Sequence, residues 1–283
     1  MRPSLLLALA GLSITAAPAA ADELLSSAPG AVNLAAGGGY AVWAQPNEDT
    51  GWHLVVRAPD GAVTTPHVAG FPGPPEASVG TGAARGVPGR PLLAVYARAK
   101  GASSDLYALD LRTGREHLVS AVSTARADEL APSVQYGRLA FVRRGGSRPG
   151  VYVWSGRGAA RRLSSTVATQ TAISEGRVAY ATARTVVARP LSGRGGASAF
   201  PTTSRPRSLV IDRYHVGWLQ NGGRVFQSGR LGGSGSVAPF PVRAADRRLA
   251  PATQSIALRH EQVALSLDPD GLHRLTPALT FGG

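Results

Sequence analysis

The sequence predicts an all-β chain, a six-bladed β-propeller closed by an N-terminal strand in its last blade. A short strand with a large residue after a small one recurs six times. The copies are Tyr40-Ala41-Val42-Trp43-Ala44, Leu93-Ala94-Val95-Tyr96-Ala97, Leu139-Ala140-Phe141-Val142, Val178-Ala179-Tyr180-Ala181, Val216-Gly217-Trp218-Leu219 and Val263-Ala264-Leu265-Ser266. Trp43, Tyr96, Phe141, Tyr180, Trp218 and Leu265 are 53, 45, 39, 38 and 47 residues apart, about 44 on average, which is the length of a four-stranded blade. The second observation is the texture between the copies. No stretch reads as a long amphipathic helix, and 35 Gly and 21 Pro in 283 residues punctuate short alternating segments, the pattern of an all-β sandwich, barrel or propeller. Six similar hairpins select the propeller.

The elements follow in chain order. Arg2, the apolar run Leu5 to Ile14 and the small residues Ala16 to Ala21 read as a secretory signal over residues 1–21, because the apolar run is too short for a membrane span of about 20 residues. Residues 22–283 then form a single domain, long enough to bury a substantial core. Within each repeat a tight turn precedes the marked strand: Tyr136-Gly137-Arg138 before Leu139 matches Glu175-Gly176-Arg177 before Val178, with Gly supplying the positive φ of a hairpin. A third strand follows, Leu106 to Leu111 or Val151 to Trp154, and a fourth ends in Glu116-His117-Leu118 or Arg161-Arg162-Leu163. Ala58-Pro59-Asp60-Gly61 and Asp268-Pro269-Asp270-Gly271 are turns by their Pro and Gly chemistry. Asp22 to Ser27 resembles a fourth strand and is assigned to the outer edge of the last blade. That blade has two possible registers, with Gln262 to Leu267 as its second strand or as its third.

Leu106-Tyr107-Ala108-Leu109-Asp110-Leu111-Arg112-Thr113-Gly114, then Asp128-Glu129-Leu130-Ala131-Pro132-Ser133 and Gly137-Arg138-Leu139-Ala140-Phe141, resemble the blade signature of TolB-like propellers, the WD40-like or PD40 repeat family. Asp246 to Pro251 echoes the same Asp…Pro element. The resemblance implies a six-bladed, non-catalytic propeller in the cell envelope or secreted space that binds proteins or peptides.

The residues exclude several chemistries. Absence of Cys removes disulfides, thiolate metal sites and a cysteine nucleophile. The six histidines, His53, His67, His117, His215, His260 and His273, are dispersed without a zinc spacing. No Gly-x-Ser-x-Gly elbow and no phosphate-cradling Gly-Lys-Ser/Thr occurs. The expectation is therefore no enzyme, no metal and no cofactor. Asn47 to Trp52 has some character of a calcium loop, but a hairpin turn accounts for it.

Charge supplies the remaining signal. Lys and Arg number 30 against 17 Asp and Glu, and Lys100 is the only lysine. Between Arg184 and Arg248 eleven arginines face only Asp212 and Asp246, a net of +9, so an anionic envelope polymer is a candidate partner for the 184–248 sector. Nucleic acid is excluded by export and by the lack of aromatic residues interleaved with the basic ones. In a propeller, the loops between blades and between second and third strands share one face. That face carries Glu48, Asp49, Arg126, Asp128, Glu129, Arg143, Arg144, Arg148, Arg247 and Arg248, the predicted partner-binding residues. The chain is expected to be a monomeric, extracytoplasmic module for a protein or peptide. The rival reading is a lactonase or glycan-cleaving propeller with a divalent ion in its central channel.

Overall fold

A computed structural model of the chain describes residues 23–49, 51–82, 91–101, 103–174, 176–220, 225–231, 237–241, 255–259, 262–268 and 271–279. The segment assigned to a signal, residues 1–21, lies outside them, as do Arg247 and Arg248.

All regular structure among the described residues is β. After β1 (Glu23–Ser27), a first sheet contains β2 (Val32–Gly37), β3 (Tyr40–Asn47), β4 (Gly51–Arg57) and β5 (Val63–Thr64). The second contains β6 (Ala77–Thr81), β7 (Leu92–Lys100), β8 (Ser103–Asp110) and β9 (Glu116–Leu118). The third is β10 (Ala127–Gln135), β11 (Arg138–Gly145), β12 (Gly150–Trp154) and β13 (Arg161–Ser164). The fourth is β14 (Gln170–Ser174), β15 (Arg177–Ala181), β16 (Thr185–Pro190) and β17 (Ser198–Pro201). The fifth is β18 (Arg207–Ile211), β19 (His215–Gln220), β20 (Val225–Arg230) and β21 (Val237–Pro241). These five are antiparallel meanders of consecutive strands, five blades read straight along the chain. The remaining sheet is composite: β22 (Ser255–Arg259), β23 (Gln262–Asp268) and β24 (Gly271–Leu279) are completed by β1, paired antiparallel to β24. Gln262 to Leu267 is thus a second strand, the first of the two registers the sequence allows.

The recurrent large residues all fall on second strands, β3, β7, β11, β15, β19 and β23, and all six are buried. The reason is geometric. A blade has neighbours on both faces, so its middle strands must be apolar on both sides. The core is accordingly a series of wedges between successive sheets. Val42, Leu54, Phe71 and Tyr96 fill the first, and Val95, Leu106, Phe141 and Trp154 the next. Ala140 with Ile173 and Val178 fills part of a third, and Phe200 with Trp218 the one after. This arrangement is a β-propeller.

First strands of neighbouring blades approach one another without a backbone ladder, and side chains bridge them instead. Ser78 Oγ accepts from Val134 N at 3.0 Å, Ser133 Oγ from Ile173 N at 2.9 Å, and Gln170 Oε1 from Leu209 N at 3.3 Å. Thr171 Oγ1 donates to Ala131 O at 2.7 Å. Where β6 passes β10 there is no room for a side chain: a Cβ on Gly80 would stand 2.1 Å from Val134 O.

The first strands also alternate. In β2, β10 and β18 the pairing skips two residues, and Asn33, Ala131 and Ser208 there take φ of 60°, 47° and 48°. In β6 and β14 pairing runs unbroken.

Candidate functional site

The hairpins β3–β4, β7–β8, β11–β12 and β15–β16 lie at one end of the sheets, and the first strands begin there. Pairing of Ala127 with Gly145 and of Asp128 with Arg144 places residues 126–129 beside 143–145. Glu48, Asp49, Arg126, Arg144 and Arg148 are exposed on this hairpin face. Asp49 N donates to Asn47 Oδ1 at 3.0 Å, so the Asn47–Gly51 hairpin is closed by turn chemistry. Asp128 ties two blades: Oδ1 accepts from Ser104 N at 3.0 Å, and Oδ2 from Arg144 Nε and Nη2, both at 3.2 Å.

Two of the sequence-assigned face residues point inward. Glu129 is fully buried. It accepts from Arg143 Nε at 2.9 Å, Thr124 Oγ1 at 2.9 Å and Thr124 N at 3.3 Å. Arg143 donates through Nη2 to Val122 O at 2.8 Å and lies 4.3 Å from the centre of the Tyr152 ring. Glu129 and Arg143 are therefore corrected from partner-binding to framework residues. Sequence reasoning placed them by loop position, but β10 carries Glu129 to the inner side of its turn. Burial pushes the Glu129 carboxyl above its ordinary range, and the bonds from Thr124 and Arg143 together with the guanidinium charge only partly offset this.

The basic 184–248 sector is corrected as well: its described arginines do not form one patch. Arg184, Arg205 and Arg207 stand at the hairpin face, whereas Arg194, Arg213 and Arg230 stand at the opposite end, where the β18–β19 hairpin turns. Arg189 is partly buried and donates to Leu163 O at 3.1 Å. Consecutive strands run in opposite directions, so a charge run in sequence is dealt out to both ends.

Along the first strands runs a central channel of about 1100 Å³. Its wall is mostly small and uncharged, with Ser78, Ser133, Gln170, Thr171, Ser174 and Ser208. The described carboxylates of this wall are Glu76 and Asp212, at opposite ends. Asp212 accepts from Tyr214 N at 2.6 Å and from His215 N at 2.5 Å and is confined to its own turn. Glu76, just before β6, is exposed at the channel mouth. Loss of hydration raises its carboxyl above the ordinary value, and the Arg205 charge opposes that rise. Sequence reasoning passed over Glu76. Its signal was isolation, since it is the sole acid between Asp60 and Asp105. Among the described residues no three His, Asp or Glu converge closely enough to hold a metal ion, and no helix is long and apolar enough to cross a membrane.

No family of known proteins and no curated sequence matches the chain. Solved structures do. A chain in the crystal structure of a nidogen/laminin complex superimposes with a TM-score of 0.56 at 11% identity, over 78% of this chain and 83% of that one. TolB from Acinetobacter baumannii superimposes with a TM-score of 0.50 at 12% identity, over 78% of this chain and 53% of that one. The chain thus spans about half the length of that TolB. At such identities the likeness is one of fold: this is a β-propeller.

Proposed function

We propose that the chain is a six-bladed, TolB-like propeller, exported with removal of residues 1–21, that binds a protein or peptide outside the cytoplasm and catalyses no reaction. Ring closure by the composite sixth sheet is part of this reading. It is supported by the β1–β24 ladder, by the cross-strand pair Arg274 Nη1–Glu23 Oε2 at 2.7 Å, and by β22 lying against both β18 and β2.

The observation that carries the binding role is the contrast between a fixed frame and unengaged charge on the hairpin face. Asp128 and Glu129 lock the third blade, while Glu48, Arg126 and Arg148 project into solvent on the hairpin face. Rigid scaffolds that present charged loops on one face are suited to recognising a complementary chain. Capture by the exported protein from envelope extract, with Arg126→Glu, Arg144→Glu and Arg148→Glu combined, tests the face. The triple variant should lose its partner, whereas Arg112→Glu with Arg157→Glu at the opposite end should keep it. Retention by the triple variant sinks the assignment. Sequencing of the exported chain should begin at Asp22.

A further inference from the structure

The wedge between the second and third blades is not filled at the end opposite the hairpin face. A cavity of about 320 Å³ remains there, walled by Leu93, Val95, Ala108, Val134, Leu139 and Trp154. The Trp154 indole is fixed by its Nε1–H, which donates to Gly158 O at 3.0 Å. The cavity is at the lower end of the size range of small-molecule sites, about 300 to 1,000 Å³.

Polar residues also border this space. Pairing of Val95 with Ala108 and of Ala108 with His117 sets the three side chains on the same side of the sheet. His117 lines the cavity, and its Nε2 is shielded from solvent without a hydrogen-bond partner. A shielded, unpaired ring nitrogen is unfavourable in the folded chain, and because it has almost no accessible surface a ligand in the cavity bonds it only when the imidazole turns toward that space. The neighbouring Glu116 does not compete: its carboxylate is on the other side of the sheet, held by Arg98 Nη1 at 2.7 Å and 2.8 Å and by the Tyr96 hydroxyl. Arg115 and Arg138 also line the cavity, are exposed, and form no ion pair among the described residues. Apolar walls, an unsatisfied imidazole and two guanidinium groups together match one ligand chemistry.

We propose that this cavity binds a small carboxylate with a compact apolar body, the body seated against Trp154 and Leu139 and the carboxylate meeting the Arg115 and Arg138 charges, with the His117 ring turning to offer its Nε2–H. Phenylacetate and phenylacetamide differ chiefly in charge, and titration of the exported chain with each, followed by protein NMR shifts, is the test. Phenylacetate should saturate at about 1 mM or below and bind about tenfold tighter than the amide. Ala108→Leu fills the cavity and should remove binding of both. Arg115→Ala with Arg138→Ala should bring the two probes within about twofold of each other by weakening the acid alone. Both arginines are exposed, so this variant decides the matter even if Ala108→Leu fails to fold. Absence of saturation by phenylacetate at about 10 mM, equal affinity for acid and amide, or binding that survives Ala108→Leu overturns the proposal.

Discussion

Two arginines on second strands do the same work nine residues before a tyrosine on a third strand. Arg98 lies 3.8 Å from the centre of the Tyr107 ring and bonds Glu116, and Arg143 lies 4.3 Å from that of Tyr152 and bonds Glu129. The acid comes from the fourth strand in one blade and from the first in the other, so no fixed spacing revealed it. This is why the sequence showed the arginines and not their confinement. Glu129→Ala would leave Arg143 uncompensated in the wedge. Denaturant unfolding should register a loss of about 3 to 5 kcal/mol, and a loss below about 1 kcal/mol would show that Arg143 finds water. Glu76 gives a prediction with pH. Its carboxyl is raised in the folded chain, so it favours folding below its unfolded value of about 4.3 and that contribution is lost as pH rises through the folded value. Glu76→Gln should therefore melt with wild type near pH 4 and above it at pH 8. A gap of the opposite sign at pH 8 would place the Arg205 attraction above the loss of hydration.

At the scale of strands, the second strands were the most legible part of the chain, because burial on both faces imposes a large residue beside small ones. The first strands were the least legible. Their side chains must line a channel, bridge to the next blade and tolerate a bulge, and Ser78, Ser133 and Thr171 carry no hydrophobic signal while doing so. Ser133→Ala should cost roughly 1 to 2 kcal/mol, since it strands the Ile173 N–H between blades. Ala131→Gly tests the bulge. Alanine at φ 47° carries a steric penalty that glycine escapes, so the change should leave stability unaltered or raise it by up to about 1 kcal/mol. Calorimetric melts of both variants check these signs. A clear loss in Ala131→Gly would mean that the methyl group itself packs in the channel wall.

For the molecule as a whole, the composite sheet is where the two ends of the described chain meet. Removing residues 23–27 would leave β24 as an open edge and delete the Glu23–Arg274 pair. The expected result is a loss of roughly 2 to 4 kcal/mol, at about 1 kcal/mol per backbone bond, with faster amide exchange in β22 to β24 and a tendency to pair edge to edge. Unchanged exchange in those strands would show that β1 is dispensable to the sheet. Repeat length made this joint readable in sequence, whereas the division of the arginines between two ends was not, because linear charge density ignores strand direction.

The alternation of the first strands bears on how such a chain can be rearranged. The bulged strands β2, β10 and β18 are separated by the unbroken β6 and β14, and in the composite sheet the irregular step between β22 and β23 places its extra residue on β23. The modular unit of the channel wall is hence a pair of blades rather than a single one. Transplanting one blade along the series would set two bulged strands side by side and break the Ser and Thr bridges, while transplanting a consecutive pair would preserve both.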